Sequence, residues 1–175
     1  MVEKYLNNRF LTLYIIPFIL GSLTILSFKP FNLLIINFFI FPTFFYLLVF
    51  ITKKSRAVYR KKPYRKNLLI FGLSFGFGFY LSGVSWITNS LTFDENFKIF
   101  IPFALILIPL FLSIFMGLTT FLIGPYLKLN FSSLVLFSAS LAFSDYLRSF
   151  LFTGFPWNLW AYSTVLFNEI LQIIN

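Results

Sequence analysis

The sequence predicts an all-α, polytopic transmembrane helix bundle with five complete spans and the approach to a sixth. Three observations carry that expectation. The 175 residues are 59% hydrophobic and 11% charged, with a mean hydropathy of +0.88, which leaves too little polar surface to coat a soluble core. Apolar runs long enough to cross a bilayer recur between short polar breaks. Those runs lack the period-two alternation of a barrel strand, so helices must satisfy the backbone in hydrocarbon.

The first span is expected over 10–28. It is not expected to be a cleaved signal peptide, because no small-x-small site follows it and "SFKPFN" reads as a turn. The second covers 31–51 and ends in the basic stretch "TKKSRAVYRKKPYRK". The third, 67–91, is dense in small residues: Gly72 and Gly76 make a GxxxG step, Gly83 extends that face, and Gly78 with Ser82 makes a second step. Such faces let helices approach closely. The fourth covers 99–127 and the fifth 131–151. At about 1.5 Å per residue each can cross about 30 Å of hydrocarbon, the longer ones tilted. Pro17, Pro42, Pro102 and Pro109 fall inside spans and are expected to kink them. The tail "VLFNEILQIIN" is too short to span and reads as the approach to a sixth helix.

The net charge of +9 does not point to nucleic acid. Eight of the fourteen Lys and Arg sit in the stretch after the second span. Lys4, Arg9, that stretch and Lys128 fall on one side of the expected bundle; Lys29 and Lys98, with Asp94 and Glu95, fall on the other. The positive-inside rule makes the first side cytoplasmic. The N-terminus is then cytoplasmic and the segment 152–163 lies on the outer, non-cytoplasmic face.

Composition also removes chemistry. The chain has no Cys and no His, so it offers no thiolate, disulfide or imidazole base. No metal ligand or cofactor is expected. "GFGFYL" lacks the third glycine and the strand of a dinucleotide fingerprint. Trp86, toward the outer end of the third span, reads as an interfacial anchor or a ligand contact. Asp145 and Arg148 lie three apart and can meet on one helix face. Counting from Phe131 places them roughly 21 and 26 Å across, below the outer interface. They read either as a mutual ion pair that locks the fifth helix or as a polar site for a lipid headgroup. Thr153, Gly154, Phe155, Pro156 and Trp157 read as a rigid outer turn, with Tyr162 close behind.

"FSDYLRSFLFTGFPWNLWAYS" resembles the signature of apolipoprotein N-acyltransferases: an acidic residue, an aromatic, Leu-Arg, then Thr-Gly-Phe-Pro-Trp and a later Tyr-Ser. "GSLTILSFKPFN" is similar to the family's first hairpin and "FGFGFYLSGVSWITNSL" to its third helix. The likeness runs from about Gly21 to Ser163. The family usually has Glu where this chain has Asp145, and often Gly where it has Ser149.

The resemblance implies acyl transfer from a membrane phospholipid to the free amine of a diacylated apolipoprotein, in Gram-negative lipoprotein biosynthesis. It implies a thioester on an enzyme cysteine within a nitrilase-like domain. This chain has no cysteine, so it is expected to be the membrane half alone, truncated and inactive by itself. The lipid- or substrate-binding candidates are then Trp86, Asp145, Arg148, Thr153, Gly154, Phe155, Pro156, Trp157 and Tyr162. Two other readings stay open: a stand-alone lipid-binding or scaffold subunit that pairs with a separate nitrilase-like protein, and a small transporter, the weaker because there is no inverted repeat.

Overall fold

A computed structural model describes residues 6, 8–58, 63–151 and 158–164. These residues form helices and no strand. Helix α1, Leu11–Ser27, opens with a π-helical turn over Leu11–Ile15, runs as α-helix over Ile16–Thr24 and tightens to a 3-10 turn at Ile25–Ser27. The wide turn lies directly before Pro17, where a regular helix would press the proline ring onto the carbonyl four residues back. Helix α2, Asn37–Val58, carries Pro42 in its interior. Helix α3, Pro63–Val84, begins on a proline and continues as a 3-10 stretch over Ser85–Thr92. Helix α4, Ile101–Ile123, follows a 3-10 stretch, Glu95–Phe100, whose start is capped by the Asp94 side chain accepting from Asn96 N–H at 2.9 Å. Helix α5, Phe131–Phe150, is capped by Asn130, whose side chain accepts from Ser133 N–H at 2.9 Å. Ser133 Oγ in turn accepts from Lys128 N–H at 3.0 Å, which fixes the turn into α5.

The structure thus places a helix over each of the five expected spans, with one change to the proline reading, while the tail expected to approach a sixth lies outside the described residues. Pro42 and Pro109 lie inside α-helical segments and Pro17 lies within α1 just after its π-helical turn, but Pro102 sits in the first turn of α4, where a missing N–H is tolerated. Among the described residues, three stretches are long and apolar enough to cross a membrane by length and composition: Leu34–Lys53, Arg65–Thr92 and Glu95–Tyr126. Leu11–Ser27 is a shorter apolar helix, and α5 carries Asp145 and Arg148.

Helix α3 is the axis of the bundle. It runs parallel to α1, with Arg9 beside Asn67 and Ile25 beside Gly83. It runs antiparallel to α4, with Leu68 beside Thr120 and Gly76 beside Ser113. Glycine allows this closeness. A Cβ on Gly21 would stand 2.0 Å from the Phe75 carbonyl oxygen, and one on Gly72 would stand 2.7 Å from that of Met116. Hydroxyls then bond across the contacts: Ser22 to the Gly78 carbonyl at 3.2 Å, and Thr120 to the Leu68 carbonyl at 2.8 Å.

These contacts change the reading of the small residues. Gly72 and Gly76 do share a face toward α4, but Gly78 packs on Phe18 and Ser22 of α1, Ser82 is exposed, and Gly83 faces Ile25 and Asn158. A helix surrounded on three sides needs small residues on several faces, not one stripe.

Phenylalanines fill the centre. Phe44 of α2 lies 5.1 Å from Phe71, 4.2 Å from Phe75 and 5.6 Å from Phe137, ring centroid to centroid. A second cluster toward the end of α3 joins Phe28, Phe79, Tyr80, Val84 and Leu112. In hydrocarbon such rings gain dispersion and fit but no release of water, so complementarity carries the stability. The outward faces of α4 and α5 stay apolar, with Phe103, Leu107, Leu110, Leu122, Phe131 and Phe143 all exposed.

Candidate functional site

The polar site forms where α5 ends and the chain returns to the bundle. One turn brings Asp145 and Arg148 to the same face of α5. Arg148 Nη2 donates to Asp145 Oδ1 at 3.1 Å, and the two side chains are 1% and 13% exposed. Arg148 Nη2 also lies 3.3 Å from the Asn158 carbonyl oxygen, and its guanidinium carbon sits 5.1 Å from the centroid of the Tyr80 ring on α3. Asp145 uses its second oxygen elsewhere: Oδ2 accepts from the Trp160 backbone N–H at 2.7 Å. Each charge is therefore neutralised by the other and by dipoles or a ring face, which is how a low-dielectric site tolerates charge.

The returning segment is shaped to meet the pair. Asn158 has φ 53°, in the left-handed region that Asn enters more readily than most residues. Its side chain fills the space left by Gly83, where a Cβ would stand 2.1 Å from Asn158 Nδ2. Trp160 opens a 3-10 turn, Trp160–Thr164. Its indole stacks on Phe79 at 4.5 Å and meets Phe41 edge-on at 5.0 Å. Behind it, Asn37 Nδ2 lies 3.4 Å from Ser163 Oγ, which donates to the Trp160 carbonyl at 2.7 Å. One short segment is thus held by α2, α3 and α5 together.

Beside this knot a cavity of about 650 Å³ opens between α2, α5 and the returning segment. Phe41, Pro42, Leu141, Ala142 and Leu159 line it, and Asp145 and Ser149 stand among its few polar residues. An apolar slot with sparse polar groups suits an alkyl chain better than a polar ligand. Among the described residues no group of three or more His, Cys, Asp or Glu side chains could hold a metal ion.

The other candidates divide. Trp86 stands on the Ser85–Thr92 stretch, 49% exposed, and does not line the cavity. Tyr162 is 45% exposed on the Trp160–Thr164 turn and does not line it either. Thr153, Gly154, Phe155, Pro156 and Trp157 lie outside the described residues. Sequence reasoning missed Tyr80, Asn158 and Trp160 as partners of the pair, and Gly83 as the seat of the Asn158 side chain. Asn158 directly after Trp157 was a signal for a left-handed turn residue; nothing local marked Tyr80, which is 65 positions from Asp145.

The apolipoprotein N-acyltransferase N-terminal domain, as a family model, matches residues 20–175. Curated relatives agree. The chain is 30% identical to the apolipoprotein N-acyltransferase of Brucella melitensis over 160 residues, 90% of this chain and 29% of that protein. It is 28% identical to that of Sinorhizobium medicae over 152 residues, 86% of this chain and 28% of the relative. It is 31% identical to that of Bradyrhizobium diazoefficiens over 144 residues, 82% of this chain and 26% of the relative. The chain spans less than a third of the length of these relatives. With its helical membrane-type architecture and this match over most of its length, the chain belongs to the apolipoprotein N-acyltransferase N-terminal domain family.

Proposed function

We propose that this chain is the membrane domain of an apolipoprotein N-acyltransferase: it seats the phospholipid acyl donor and the diacylated apolipoprotein acceptor, while the transfer itself is carried by a nitrilase-like domain. The observation that carries this reading is the family match over residues 20–175. The chemistry agrees. Acyl transfer through a thioester needs a thiolate nucleophile, and these 175 residues contain no cysteine. The part left to this chain is to bind, orient and exclude water.

In this reading five helices cross the bacterial inner membrane, with the N-terminus cytoplasmic and 152–163 at the periplasmic face. The cavity beside α5 takes an acyl chain, and Trp86 and Tyr162 stand at headgroup level, as aromatic side chains do at membrane interfaces. The Asp145–Arg148 pair holds the floor on which the catalytic domain rests.

The test has two arms. Purified chain incubated with labelled phospholipid and a diacylated lipopeptide should leave the peptide amine free. A chimera in which this chain replaces the corresponding N-terminal part of the Brucella melitensis relative should restore N-acylation. A chimera that inserts in the membrane and folds but transfers no acyl group would refute the proposal, as would turnover by the chain alone.

A further inference from the structure

Packing gathers exposed cations from four helix ends onto one end of the bundle. Arg9 precedes α1, Lys53 is near the end of α2, Arg65 and Lys66 are near the start of α3, and Lys128 follows α4; all five are exposed. Tertiary contacts hold these helix ends together. Arg9 Nη2 donates to Asn67 Oδ1 at 3.0 Å, two residues beyond Arg65. The Arg65 guanidinium carbon lies 5.7 Å from the Phe121 ring centroid, which ties the start of α3 to the end of α4. Thr52 Oγ1, next to Lys53, donates to the Gly124 carbonyl at 3.0 Å, four residues before Lys128.

The opposite end is different. Its described charges are Lys29 and Lys98 against Asp94 and Glu95, two of each sign, with Glu95 and Lys98 bonded to each other. Asp145 and Arg148 cancel within the bundle. The described carboxylates all lie away from the basic end, so its five positive charges face no described counter-charge. Two of the five are guanidiniums, whose planar fork matches a phosphodiester. A dense cationic surface at the rim of a hydrocarbon-spanning bundle meets anionic headgroups within a Debye length.

We propose that this end binds anionic phospholipid headgroups, as a lipid site at the membrane surface opposite the Asp145–Arg148 knot. It is separate from any acyl-donor site, which belongs to the other end. The lipid held here is a fixed partner of the bundle and not a substrate.

The test is lipid retention by native mass spectrometry of the purified chain. Detergent-solubilised protein is mixed with equal amounts of dioleoyl phosphatidylglycerol and dioleoyl phosphatidylcholine. Phosphatidylglycerol should be retained in clear excess, and high salt should bring the two lipids to parity. Substituting Lys53→Gln, Arg65→Gln, Lys66→Gln and Lys128→Gln one after another should cut the preference by up to about fivefold each. Lys29→Gln with Lys98→Gln should leave it unchanged. Inorganic phosphate should not displace the lipid more than chloride does at the same ionic strength. Equal retention of the two lipids by the wild-type chain overturns the proposal, whether or not the variants fold. So does an undiminished preference in the fourfold variant, or displacement by phosphate beyond that by chloride at matched ionic strength. None of these readings involves acyl transfer, so the site and the function proposed above can fail independently.

Discussion

The backbone N–H of Trp160 donates to Asp145 Oδ2 at 2.7 Å, across 15 positions of chain. The bond turns a charge pair inside one helix into a tether for the segment that follows it. It also means that Asp145 has two tasks, one for Arg148 and one for Trp160, and that its substitutions will not behave alike.

Arg148→Met should leave Asp145 without its cation and cost about 3–5 kcal/mol. Asp145→Asn added to it should recover much of that loss, because the amide oxygen can still accept from Trp160 N–H while the buried charge is gone. Asp145→Leu in the same background should recover less, since it orphans that N–H at about 1–3 kcal/mol. Thermal unfolding in detergent, run as a double-mutant cycle, measures all three. Equal stability of the Asn and Leu double variants would show that the tether contributes nothing.

Gly83→Ala should destabilise by about 1–3 kcal/mol, since its Cβ would stand 2.1 Å from Asn158 Nδ2 and 2.9 Å from Ile25 Cδ1. The Asn158 clash is with a side chain and so can be relieved. Asn158→Gly keeps access to positive φ and should suppress most of the effect, measured as coupling in a thermal cycle. Additive losses would mean that the returning segment does not rest on Gly83.

Gly72→Ala offers the opposite case. Its Cβ would meet Thr120 Oγ1 at 2.0 Å, but also the Met116 carbonyl oxygen at 2.7 Å. Removing the hydroxyl in Thr120→Ala should therefore fail to rescue it, and the added loss of the bond to Leu68 should make the pair worse. Rescue by Thr120→Ala would place the close approach in the side chains instead of the backbones.

Orientation can be read with single cysteines, because the native chain has none. Asn96→Cys and Tyr162→Cys, both at exposed positions, should react with an impermeant thiol reagent in spheroplasts. Lys128→Cys should react only after permeabilisation. The reverse pattern would invert the proposed topology. Ser163 is a poor reporter, since it is buried and bonded to the Trp160 carbonyl.

The sequence by itself determined the class of structure and the helices' places along the chain, because a span is a local property: enough apolar residues in a row, with polar breaks between. It also brought Asp145 and Arg148 together, since three residues on one helix suffice for that. It could not show what else those charges touch. Tyr80, Asn158 and Trp160 reach the pair through α3 and the returning segment, with Gly83 seating Asn158, and which face of α3 meets α1, α4 or that segment depends on backbone approach distances that no local pattern encodes. The small residues of α3 were legible as packing residues, but their division among three partners was not. Likewise the basic residues gave a sidedness from sequence alone, yet only the packing of four helix ends set Arg9, Lys53, Arg65, Lys66 and Lys128 on one surface. Tertiary structure decided these matters because charge, fit and hydrogen bonding act across distances in space that the chain covers only by folding back on itself.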